Sequence, residues 1–124
     1  MSAETAVQAA LFTALTGAGL TVYDAAPQSP TWPYVEIGTI IMTTRDTLRE
    51  RGFEFVARIH TRSASTSMKE MKNIQGEIYD ALHLTNPAIA GFTTILLRRE
   101  SSAPMRAPDG TFHGVCEYRG HIST

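Results

Sequence analysis

The chain has 124 residues, 43% of them hydrophobic and 19% charged, which suits one globular domain and is too apolar for disorder. Lysine plus arginine number 11 against 12 for aspartate plus glutamate, so no basic field exists to hold phosphates, and tight sequence-independent nucleic-acid binding is disfavoured. One cysteine, Cys116, rules out an internal disulfide framework, suits a reducing compartment and leaves too few ligands for a structural zinc site.

The start Met-Ser-Ala-Glu lacks the basic residues and apolar run of a signal peptide. No stretch approaches the ~18 apolar residues of a membrane span. A soluble protein made in the cytoplasm is expected. No repeat, linker or low-complexity tract divides the sequence, so residues 1–124 are expected to form a single domain.

Ser2 is placed to cap a helix from Ala3 to about Leu15, with Gly17 just beyond its end. Val7, Ala10, Leu11, Ala14 and Leu15 form its apolar stripe, and Glu4 suits the positive end of the helix dipole. Leu20 to Tyr23 reads as a short strand. Pro27, Pro30 and Pro33 then impose an extended connection.

Tyr34 to Met42 is β-branched and aromatic, the composition of a strand. Gly52 to Thr61 alternates, with Phe53, Phe55, Ala57 and Ile59 facing one way and Glu54, Arg58 and His60 the other. That period of two predicts a half-buried strand antiparallel to the one before. The intervening "TTRDTLRER" is too polar to bury.

Ser67 and Glu70 have capping-box spacing ahead of a second helix, Met68 to about Leu84. Met71, Ile74, Ile78, Ala81 and Leu82 are its core stripe; Lys69, Lys72, Asn73, Asp80 and His83 face water. Asn86-Pro87 stops it. Gly76, inside this helix, costs about 1 kcal/mol relative to alanine, which either close packing or simple tolerance explains. Phe92 to Glu100 and Thr111 to Ile122 are two further strands, separated by a loop holding Pro104 and Pro108-Asp109-Gly110. The order α-β-β-β-α-β-β predicts an α+β fold, a mainly antiparallel sheet with two helices packed on it.

The segment "RAPDGTFHGVCEYRG", residues 106–120, gathers Asp109, His113, Cys116 and Glu117, residue types that ligate metals and exchange protons. In a strand they separate. Phe112, Gly114, Cys116, Tyr118, Gly120 and Ile122 take one face, and His113, Glu117, Arg119 and His121 the other. His113 and His121 lie about 26 Å apart at roughly 3.3 Å per residue, too far for one metal. Pro108-Asp109-Gly110 has the composition of a tight turn. The segment therefore reads as a turn and a strand.

His60 approaches His113 or His121 if their strands are neighbours; a metal pair is one reading and solvated histidines the other. No GxSxG elbow, phosphate loop or HExxH pair occurs. Ser101-Ser102 and Ser63, Ser65 and Ser67 read as loop and cap residues. No catalytic residue, cofactor or metal site is expected. Arg45, Arg49 and Arg51, interleaved with Asp46 and Glu50, admit two readings: a solvated loop, or a hairpin forming a candidate subunit interface, since arginine is favoured there.

Four stretches in order resemble the phage tail-completion (tail terminator) family, which also occurs in gene-transfer-agent clusters. "AVQAALFTAL" is similar to its amphipathic first helix, and "VYDAAP" with "PYVEIG" to its first two strands. "SMKEMKNIQGEIYDALH" resembles its central helix, and "RAPDGTFHGVCEYR" its turn and last strand. The resemblance implies a non-enzymatic, hexameric ring that caps the tail tube and joins tail to head. It implies as partners other copies of the chain, the major tail tube protein and a head-completion or connector protein, with DNA only in passage and no membrane. The near-neutral charge suits a channel through which DNA slides, and a sheet with exposed edges supplies subunit faces. Two alternatives stay open: another neck component, such as a head-completion or minor tail protein, or a small ligand-binding or metal-using enzyme built on His60, His113 and Tyr118.

Overall fold

A computed structural model of the chain describes residues 2–25, 27–64, 68–85, 89 and 91–124, the side chains of 94–96 excepted. Among these residues are two helices and five strands: α1 (Ala3–Gly17), β1 (Val22–Tyr23), β2 (Tyr34–Thr44), β3 (Gly52–Ser63), α2 (Lys69–Leu82), β4 (Thr93–Arg106) and β5 (Phe112–Ser123). The sheet order is β1-β2-β3-β5-β4. β1 runs parallel to β2 and every other pairing is antiparallel. The α+β class and the order α-β-β-β-α-β-β hold.

Ser2 caps α1 as expected, its hydroxyl accepting the N–H of Thr5 at 3.1 Å. The terminating glycine is Gly19, not Gly17. Gly19 has φ +87°, its N–H bonds the Thr16 carbonyl and the N–H of Leu20 bonds that of Leu15, the paired bonds of a Schellman motif. Gly17 is the last helical residue.

α2 departs from the sequence reading at both ends. Ser67 lies outside the described residues, and Met68 occupies the N-cap with no side-chain cap bond. The Glu70 carboxylate accepts the Ser63 hydroxyl at 2.5 Å, tying the helix start to the end of β3. At the other end the helix stops at Leu82. His83 is extended, and Leu84, at φ +57°, donates its N–H to Leu97 of β4 at 2.7 Å. That bond turns the chain out of the helix. Asn86 and Pro87 lie outside the described residues.

β1 is shorter than the expected Leu20–Tyr23, because Leu20 still belongs to the helix-ending turn, whereas β2, β3 and β4 are longer than their composition suggests. Thr43 and Thr44 belong to β2 and Arg62 and Ser63 to β3. Pro104 belongs to β4 rather than to a loop. It is tolerated because β4 is an edge strand, where a missing N–H breaks no ladder on the outer side.

Both helices cover one face of the sheet and touch each other. Val7, Leu11 and Leu15 from α1 and Ile74, Ile78 and Leu82 from α2 join Val35, Ile37, Phe55, Ala57, Ile59, Leu97, Cys116, Tyr118 and Ile122 in one core. In β2, Ile37 opposes Ile59 and Ile40 opposes Ala57, so Gly38 and Thr39 bulge against Arg58 alone. The extra residue shifts the parity of the strand. Val35 and Ile37 face the core before it, Ile40 and Met42 after it. Gly76 is exposed with nothing within 4 Å of where a Cβ would stand, so close packing does not explain it.

Candidate functional site

The face of the sheet turned away from the helices is a mosaic of opposite charges. Arg45, just past β2, pairs with Glu54 of β3 at 3.5 Å. Glu54 also pairs with Arg119 of β5. Arg119 reaches Glu100 of β4 at 2.8 Å, and Glu100 accepts from Arg98 at 3.2 Å. One row away, Arg58 and Glu117 meet at 3.2 Å. Each exposed pair contributes at most about 1 kcal/mol; the chain of pairs fixes side-chain positions across three strands. The strand alternation read from the sequence put Glu54 and Arg58 on one face of β3 and Glu117 and Arg119 on one face of β5, without revealing who pairs with whom.

His60 and His113 come together on the same face. Nδ1 of His60 lies 2.9 Å from Nε2 of His113, with the rings stacked at 5.1 Å and 24°. Burial, then the Arg62 guanidinium, holds both below the usual histidine range. The neutral pair is thus favoured, one ring donating and the other accepting. His121 stands opposite Glu54, far along the strand. No group of three or more His, Cys, Asp or Glu placed to hold a metal occurs among the described residues.

Tyr118 is on the other side of the sheet. It is fully buried in the core beneath the helices, and burial pushes its hydroxyl well above the usual phenol range. His60, His113 and Tyr118 therefore cannot form one site. Cys116 is likewise buried, 3.6 Å from the Ser102 hydroxyl, its thiol pushed up by burial and separated by the sheet from His113. Asp109 closes the β4–β5 turn: it accepts the Thr111 N–H and hydroxyl at 3.0 and 2.6 Å, which lowers its pKa. Gly110 turns at φ +89°.

His83 does not simply face water. Its Nδ1 accepts the N–H of Arg99 at 3.1 Å, its ring stacks on Tyr79 at 4.3 Å, and Arg99 lies 4.4 Å over that same tyrosine. The stack locks the end of α2 to β4. The sequence spacing of Tyr79 and His83 carries this signal, since residues four apart share a helix face.

The β2–β3 connection is a structured hairpin. The N–H of Arg45 bonds the Gly52 carbonyl at 2.7 Å, and the Asp46 carboxylate accepts the Gly52 N–H at 3.1 Å. Thr47 accepts the N–H groups of Arg49 and Glu50 on its hydroxyl. Arg51 exchanges bonds with Thr124 through its N–H and carbonyl. Leu48 is completely exposed at the tip. Of the three arginines singled out from the sequence, Arg45 is engaged with Glu54, whereas Arg49 and Arg51 project with no ion pair to a described residue.

The family model for "Tail completion protein gp17" matches residues 5–123 of this chain. The chain belongs to the tail completion protein gp17 family. Its fold is also that of a chain in a solved structure described as the virion of a native gene transfer agent particle, with a TM-score of 0.87, 18% identity, and coverage of 99% of this chain and 98% of that one. No curated protein matches the sequence. The order of elements, α-β-β-β-α-β-β, is the one read from the periodicity and punctuation of the sequence. Among the described residues, no helix is long and apolar enough to cross a membrane.

Proposed function

We propose that this chain is a non-enzymatic virion protein that caps the tail tube as a hexameric ring and joins tail to head, the whole of residues 1–124 acting as one unit. The observation that carries the reading is the match of residues 5–123 to the tail completion family. The fold shared with a chain of a gene transfer agent virion supports it. Three features of the molecule support a ring: a sheet face without helices, an edge strand at β4 and a hairpin that projects beyond the sheet. On this reading the ring meets the major tail tube protein on one side and a head-completion or connector protein on the other. DNA passes through it, and a net charge of −1 gives the phosphates little to hold.

Deletion of the gene tests this. The expected result is DNA-filled heads without attached tails, and tails of uncontrolled length. Tails of normal length joined to heads in the deletion strain contradict it.

A further inference from the structure

The hairpin tip carries an apolar residue with nothing beneath it. Leu48 is completely exposed, yet the backbone around it is held by the Thr47, Asp46 and Thr124 bonds. A leucine displayed on a pre-ordered loop loses little entropy on docking. The charges beside it are uncommitted. Arg45 is taken by Glu54 and Asp46 by the Gly52 N–H, whereas Arg49, Glu50 and Arg51 have no ion pair with a described residue.

At the other end of β2 lies a groove of about 570 Å³ between α2 and the start of the sheet. Leu20, Trp32 and Ile74 give it apolar lining, and Lys69, Glu70 and Glu77 give it charge. Trp32 remains 40% exposed there. Glu77 and Lys69 on the groove, with Glu70 beside them accepting the Ser63 hydroxyl, are opposite in sign to Arg49, Arg51 and Glu50 on the hairpin. Knob and groove stand at opposite ends of an eleven-residue strand, about 33 Å apart at roughly 3.3 Å per residue, so neither fills the other within one molecule. A knob and a groove on different parts of one chain make a head-to-tail contact, the kind that repeats into a ring.

We propose that Leu48 of one copy seats in the groove beside Trp32 of the next copy, with Arg49 and Arg51 against Glu70 and Glu77 and with Glu50 against Lys69. The occupant of the groove is a second copy of this chain. This rests on the ring reading and adds to it the two surfaces that meet.

Cross-linking in assembled particles tests it, with Leu48→Cys and Asn73→Cys placed on the hairpin and in the groove. Cys116, buried, stays out of the reaction. The expected result is a ladder of covalent multimers from chains carrying both cysteines, and a single dimer band when each cysteine is on a different chain. A Leu48→Cys chain that links to its own Leu48→Cys copy, or to a different protein, overturns the docking. So does the absence of any link in particles where microscopy shows the ring in place. Absence of the chain from the tail end overturns the ring reading itself. If the cysteine variants fail to incorporate, charge reversal decides. Arg49→Glu with Arg51→Glu should reduce assembly at least about tenfold, as loss of a concentrated contact does, and Glu77→Arg should restore part of it. Normal assembly of the reversed variant, or loss without restoration, overturns the docking.

Discussion

His60 and His113, from neighbouring antiparallel strands, bring Nδ1 and Nε2 to 2.9 Å on the open face of the sheet. Both are held below the usual histidine range by burial first and by Arg62 next; Arg58 adds to this at His60, and Glu36 opposes it at both. The unfolded chain therefore takes up protons at these positions before the folded chain does. Stability is full above about pH 6.5 and falls as pH drops toward the lower folded values. Urea midpoints at about pH 7.5 and about pH 5.5 check this. His60→Gln with His113→Gln should flatten the difference; an unchanged pH slope in that variant would place its source elsewhere.

The same histidines should be dispensable for function. Single substitution of His60, His113 or His121 by Gln is expected to leave particle infectivity or gene transfer near the wild-type level. Tyr118→Phe should do so as well, because the hydroxyl is sealed in the core away from those histidines. A fully folded histidine variant that loses function, with stoichiometric metal in the wild type, would instead support a metal-using site.

Two glycines give opposite expectations. Gly76 is exposed in α2 with open space around it, so Gly76→Ala should raise stability by about 1 kcal/mol. A Cβ at Gly52 would stand 2.5 Å from the Arg45 carbonyl oxygen. Gly52→Ala should therefore open the hairpin base and cost about 1–3 kcal/mol, the range for overpacking. Denaturant melts of the two variants, read as midpoint shifts in opposite directions, check both.

Replacing Arg45, Arg49 and Arg51 together by Ser should change monomer stability by no more than about 1 kcal/mol, the upper value for a surface ion pair such as Arg45–Glu54. Assembly or tail joining should nevertheless be impaired. Wild-type assembly of the triple variant would make the loop a solvated connection, and an unfolded monomer would make it an internal support.

Period and punctuation in the sequence were enough for the fold class because each strand is covered on one face only. In β5 the alternation from Phe112 to Ile122 is uninterrupted, and its buried residues are those expected. What escaped was set by partners distant in sequence. The end of α2 depends on Leu84 meeting Leu97, Pro104 is acceptable only at an edge, and Glu70 accepts a hydroxyl from Ser63 at the end of β3. The candidate surface followed the same division. The arginines of the hairpin were visible as a composition, but the commitment of Arg45 to Glu54 and the groove around Trp32 required strands and helices to be placed. Leu48, flanked by charge, carried no periodic signal.

Electron cryomicroscopy of the particles at the junction of tail and head is the decisive measurement. A ring of six copies of this fold is expected at the head-proximal end of the tail tube, between the tube and the connector. A junction built without this chain, or this chain found only on the head side or elsewhere in the tail, would contradict it.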